Sequence, residues 1–197
     1  MEQIIYRITG GTLSAAFANE KGGVSLYSLR DKKTKKNVLT QSNELFSLKA
    51  KNLTNGTETV LSSLKNWKSV CFSESKGKLE ISLSDNSEVF GIGVIITITS
   101  DENRLMLDTI LLNHSTTHTL LECDYPELHF DANRNTSFFY PYGCGEVRPC
   151  AMKTDYNNVQ SYPSYGASMQ YLAMFNNVTK RGIYYGLHDT APAAKKL

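Results

Sequence analysis

Short runs in which apolar and polar residues alternate recur along this chain, separated by polar turns, and they predict strands. Val24-Ser25-Leu26-Tyr27-Ser28-Leu29 runs apolar, polar, apolar, aromatic, polar, apolar. Trp67–Ser73 and Lys78–Ser84 form a predicted hairpin across Glu74-Ser75-Lys76-Gly77, with Leu79, Ile81 and Leu83 on one face. The β-branched run Phe90–Thr99 is answered by Arg104–Asn113 across a polar turn, and this hairpin is placed in the middle of a sheet. Further strands are predicted at Ile4–Thr9, Thr12–Ala18, Leu45–Ala50, Thr119–Cys123, Leu128–Phe130, Phe138–Tyr140, Met169–Phe175 and Ile183–Leu187. Asn52–Ser63 reads as a loop or edge segment. Met169–Phe175 has some helix propensity, but its flanking Tyr-Pro loop and Asn176-Asn177 favour a strand. No long window keeps a 3.6-residue period, so helix is expected only as a short turn at Ala191–Lys196.

Closely spaced strands without β–α alternation predict an all-β fold, an antiparallel β-sandwich. The chain has 197 residues, enough for one sizeable core, and residues 1–197 read as a single domain. Net charge is +2, and the one basic cluster, Lys32-Lys33 with Lys35-Lys36, sits in a turn-like segment, so no nucleic-acid partner is expected. The longest apolar run, Phe90–Ile98, is far too short to span a bilayer, so no membrane partner is expected either. The opening MEQIIYRITGG lacks the regions of a signal peptide, though a leader replaced by Met1 fits equally.

Cys71, Cys123, Cys144 and Cys150 match no zinc or redox spacing. Cys144 and Cys150 flank a short loop, which leaves a local disulfide open. Five N-x-S/T sequons, at Asn52, Asn55, Asn113, Asn135 and Asn177, do not decide the compartment in a chain this rich in Asn, Ser and Thr.

Two aromatic loops, Tyr140-Pro141-Tyr142-Gly143 and Tyr162-Pro163-Ser164-Tyr165-Gly166, precede strand-like runs that end on His188 and Asp189. Tyrosine rings are apolar on the face and polar at the tip, which suits the C–H face of a pyranose or a domain junction equally. Tyr140, Tyr142, Tyr162 and Tyr165 are therefore candidate carbohydrate contacts, in loops stiffened by Pro141 and Pro163. His188 and Asp189 are candidates for binding a ligand hydroxyl, or else for capping the strand end. Glu146 and Arg148 suggest an ion pair in an exposed loop. Asp124, Glu127 and Asp131 lack a calcium-binding spacing and read as solvated carboxylates. No motif calls for a metal or cofactor.

The order of these signals resembles the N-terminal β-supersandwich, or galactose-mutarotase-like, domain that precedes the (β/α)-barrel in several glycoside hydrolase families. The residues that carry the likeness are Ser28-Leu29-Arg30-Asp31 with Asn37-Val38-Leu39, then Leu111-Leu112-Asn113-His114-Ser115, and then Tyr125-Pro126-Glu127-Leu128. The closing third is similar to an uncharacterised bacterial family of glycosidases, through Tyr162-Pro163, Met169-Gln170-Tyr171-Leu172-Ala173-Met174-Phe175 and Gly182-Ile183-Tyr184-Tyr185-Gly186-Leu187-His188-Asp189. The resemblance implies an N-terminal piece of a longer glycosidase, secreted or periplasmic in its full-length form. It implies a non-catalytic role, bracing a C-terminal catalytic barrel that carries the paired carboxylates. The expected partners are that barrel and an oligo- or polysaccharide, with no cofactor. A free-standing carbohydrate-binding module is the alternative reading. A mutarotase-type epimerase is a third, since His114 after Asn113 resembles an Asn-His pair of mutarotases. That chemistry needs a second His and a Glu, and the context of His118 and Glu122 does not match that family.

Overall fold

The computed structural model describes residues 4–39, 43–102, 104–130, 133–150 and 169–187, together with the backbone of Ser161–Tyr162 and Lys195–Lys196. The chain is all-β, with no helix among the described residues, and its antiparallel sheets fit a β-sandwich. It divides into two compact units, Met1–Asp131 and Ala132–Leu197.

The first unit holds three sheets. One is ordered β1-β2-β3-β4, from β1 (Ile5–Gly10), β2 (Leu13–Glu20), β3 (Gly23–Asp31) and β4 (Asn43–Glu44). The second is ordered β10-β9-β8-β7, from β7 (Trp67–Ser75), β8 (Lys78–Asn86), β9 (Ile92–Ser100) and β10 (Leu105–Asn113). The third is ordered β11-β5-β6, from β5 (Ser47–Asn52), β6 (Glu58–Ser62) and β11 (His118–Asp124). The predicted hairpins β7–β8 and β9–β10 are present in unbroken antiparallel register.

Alternation is carried through where one face is buried. Leu79, Ile81 and Leu83 of β8 and Ile92, Val94, Ile96 and Ile98 of β9 are buried, while Lys78, Glu80, Ser82, Ile95, Thr97 and Thr99 on the other face stay partly exposed. Strand β2 departs from this pattern because Ala15, Ala16, Phe17 and Ala18 are all buried, and small side chains allow both of its faces to be covered. In β3 the spacing of Leu26 and Leu29 breaks a strict two-residue period. The structure absorbs the break in a bulge: Ala16 faces Ser28 and Phe17 faces Leu26, so Tyr27 is the extra residue and both leucines reach the core. Leu121 is the extra residue of β11 in the same way, and it is left exposed.

The Tyr6 ring stacks on Phe72 with centroids 4.1 Å apart, joining edge strand β1 to edge strand β7 across the sandwich. Trp67 sits buried edge-on to Phe46 and donates its indole N–H to the Ser62 carbonyl at 2.8 Å. At Gly10 the backbone of β1 lies close against Arg104, and a Cβ there would run into the Arg104 carbonyl.

The structure corrects two strand placements, the first being Leu128–Phe130, which forms no strand and only an isolated bridge from Phe130 to Leu39. The second is the β9–β10 hairpin, which does not lie mid-sheet, because among the described residues β10 pairs only with β9 and forms the edge. The β-branched pattern of β9 marks an interior strand. The leucines of β10 look equally core-like in sequence, yet none of its side chains is fully buried.

The second unit is a four-stranded sheet, ordered β13-β12-β15-β16, plus a two-residue pair. Its strands are β12 (Thr136–Tyr140), β13 (Glu146–Arg148), β15 (Tyr171–Asn176) and β16 (Arg181–Gly186). The pair joins β14 (Ser161–Tyr162) to β17 (Lys195–Lys196). Of the helical turn expected at Ala191–Lys196, only Lys195 and Lys196 are described, and they are strand.

Candidate functional site

The second sheet's register sorts its side chains into two faces. Phe139 pairs with Val147 on one side and Ala173 on the other, and Ala173 pairs with Tyr184. These four therefore form one cross-strand row, with Tyr171 and Phe175 flanking Ala173 on the same face. The small Ala173 leaves space for its larger neighbours to meet. Phe139 and Tyr171 stack with centroids 5.1 Å apart and planes 3° apart, and Tyr171 meets Tyr184 at 5.3 Å. Tyr184 ends this aromatic row on β16 and is 58% exposed, while Val147 at the row's other end on β13 and Phe175 on β15 are also exposed.

Local hydrogen bonds hold the row in register. Asn177 donates its side-chain N–H to the Asn135 carbonyl at 3.1 Å and to Ser137 Oγ at 2.8 Å. Asn176 Oδ1 accepts the backbone N–H groups of Val178 and Thr179, shaping the β15–β16 turn. Gly145 has φ 96° and lies against Phe139, where a Cβ would be 2.8 Å from Phe139 Cζ.

The sequence candidates fall differently. Tyr140 is on the opposite face of β12 from Phe139 and is only 3% exposed, so in this sheet its ring is not offered to solvent. Tyr142 lies in the β12–β13 turn at 40% exposure, its N–H donating to the Tyr140 carbonyl at 2.9 Å. Tyr162 is placed on β14 by its backbone, and its side chain lies outside the described residues, as do Tyr165, His188 and Asp189. Phe139, Tyr171 and Tyr184 were not singled out from sequence. Their signal was alternation on three separate strands, and only the pairing brings those residues together.

Electrostatics around the row are mild. Arg148 and Glu146 form the expected ion pair at 2.8 Å, on strand β13 and not in a loop. Burial pushes the Tyr185 hydroxyl up to about 12. Cys144 and Cys150 are both free. The β12–β13 register explains this, because Cys144 lies at the turn and Cys150 beyond Arg148 at the far end of the hairpin.

In the first unit, His118 accepts from the Asn52 amide at Nε2 (3.4 Å) and bonds Thr117 Oγ1 through Nδ1 (2.9 Å). His114 lies in the exposed turn after β10. Asp124 bonds Ser47 and Glu127 bonds His129, and no group of three metal-ligating side chains occurs among the described residues. An open cleft of about 250 Å³ beside β1, lined by Arg7, Glu74, Lys78 and Ser100, has no aromatic wall.

Compared with known proteins, the chain matches no protein-family model and no curated protein.

Proposed function

We propose that this chain is a non-catalytic β-sandwich domain of a glycoside hydrolase that contacts carbohydrate through the Phe139–Tyr171–Tyr184 face. The observation that carries the reading is the aromatic row itself: three rings from three strands, gathered on one partly exposed face. Rings of this kind offer apolar area to the C–H face of a pyranose and, in tyrosine, a hydroxyl for its polar rim. The bond-breaking carboxylates belong to a catalytic barrel of the same polypeptide, which this domain braces.

A second reading uses the same face as the seat of that barrel. Exposed Val147 and Phe175 beside the rings favour it, since neither offers a hydroxyl a polar group to bond.

Retention of the wild-type chain in polysaccharide-containing native gels, over a panel of soluble glucans, xylans and galactans, tests the carbohydrate reading. Tyr184→Ala removes an exposed ring and is expected to weaken retention about tenfold. No retention on any polysaccharide, or equal retention by the variant, overturns it in favour of the domain seat.

A further inference from the structure

The longest apolar edge in the first unit belongs to β10. Its orientation follows from the turns at each end: Asp101 N–H donates to the Arg104 carbonyl at 3.2 Å, and His114 N–H donates to the Gly91 carbonyl at 2.8 Å. Both bonds are in register with the β9–β10 ladder, so even-numbered residues turn their backbone groups toward β9. Leu105, Leu107, Thr109, Leu111 and Asn113 then point N–H and C=O outward, where no strand pairs with them among the described residues.

Edge strands are ordinarily blunted by charge, proline or a bulge. The opposite edge, β7, carries Lys68 and Glu74 among several serines, and β1 carries Arg7. Strand β10 reads Leu-Met-Leu-Asp-Thr-Ile-Leu-Leu-Asn, with six apolar residues, one charge, no proline and an unbroken register. Leu107 and Leu111 share a face with buried Ile98 and Val94 and are only partly buried, while Met106 and Ile110 on the other face are exposed.

We propose that β10 is a self-association edge, pairing antiparallel with β10 of a second copy about a two-fold axis at Thr109. Hydrogen-bonding capacity decides the kind of partner, since outward N–H and C=O groups on every second residue are complemented by another strand. Sequence decides the register. Centring on Thr109 overlaps the whole strand, sets Leu107 opposite Leu111 of the second copy, and sets Asp108 opposite Ile110. Centring on Asp108 places two carboxylates face to face, which is unfavourable. The Thr109 register makes five hydrogen-bonded pairs, about ten N–H···O=C bonds, and an isologous contact that closes on itself.

The test is the solution mass of the 197-residue chain by light scattering, from about 1 to 200 μM, a range that brackets weak strand-edge dimers. Twice the monomer mass of 22.0 kDa is expected at the upper end. Thr109→Pro removes an outward N–H that β9 does not use, which an edge tolerates, and is expected to give a folded monomer. A second variant guards against misfolding. Thr109→Cys, made with Cys71→Ser and Cys144→Ser, is expected to cross-link to itself on mild oxidation, because hydrogen-bonded partners lie within disulfide reach. A wild-type monomer throughout the range overturns the proposal, even if the edge takes up a strand from another protein. So does a folded Thr109→Pro dimer, or a Thr109→Cys variant that does not cross-link.

Discussion

The rings of Phe139 and Tyr171 lie parallel, 5.1 Å apart, although they come from strands separated by some thirty positions of intervening chain. They are diagonal neighbours: Phe139 faces Ala173, and Tyr171 lies two residues along the same strand. The pair both stiffens the second unit's sheet and positions Tyr184. Tyr171→Ala is expected to cost about 2 kcal/mol, from lost ring burial plus the stacking contact. Tyr184→Ala, at a largely exposed position, is expected to cost under about 1 kcal/mol. Urea unfolding followed by circular dichroism measures both, and equal costs would contradict this division of roles.

Gly145 packs against the same Phe139 ring. An alanine there meets two obstacles, a left-handed φ and a ring atom 2.8 Å from its Cβ. Gly145→Ala is expected to lose about 1–3 kcal/mol. Gly143→Ala, with φ 56° in the ordinary left-handed region, is expected to lose about 1 kcal/mol. The difference in urea midpoints reads the contribution of the ring contact.

Thiol reactivity follows burial. Cys123 is pushed up to about 11, first by burial and then by the neighbouring Asp124 charge, so little thiolate forms at neutral pH. Cys71 and Cys144 are exposed. Iodoacetamide at pH 8 with mass-spectrometric mapping is expected to label Cys71 and Cys144 well before Cys123. The same map on unreduced protein is expected to show no Cys144–Cys150 disulfide.

Tyr185 makes the second unit sensitive to alkali. Its hydroxyl ionises at about 12 when folded, against about 10 in an unfolded chain, so the folded state holds the proton longer. Between those values the unfolded state binds fewer protons, and stability falls as pH rises. A loss on the order of 2–3 kcal/mol is expected across that window, with none below pH 10 from this group. Tyr185→Phe is expected to flatten that decline in urea midpoints measured at successive pH values.

Much of this architecture was legible residue by residue. The parity of Leu79, Ile81 and Leu83 marks the buried face of β8, and the polar turn after Ser100 marks the β9–β10 hairpin. The run Val24–Leu29 reads as clean alternation, and only the structure shows the bulge at Tyr27 that brings both Leu26 and Leu29 to the core. Of the candidate site, the aromatic residues of the last third are legible in sequence, but the rings that gather on one face are Phe139, Tyr171 and Tyr184. Tyr140, the first candidate, is buried on the other face.

What the sequence determined by itself is the strand content and the turns, because a two-residue period and a Gly- or Asn-rich break act within a few residues of chain. Tertiary structure alone decided which strand lies beside which. That choice turned β10 from an interior strand into an edge and set Tyr171 between Phe139 and Tyr184. The physical reason is range: alternation assigns a side chain to a face, whereas its neighbours across the sheet depend on pairings between distant segments, which local pattern does not encode.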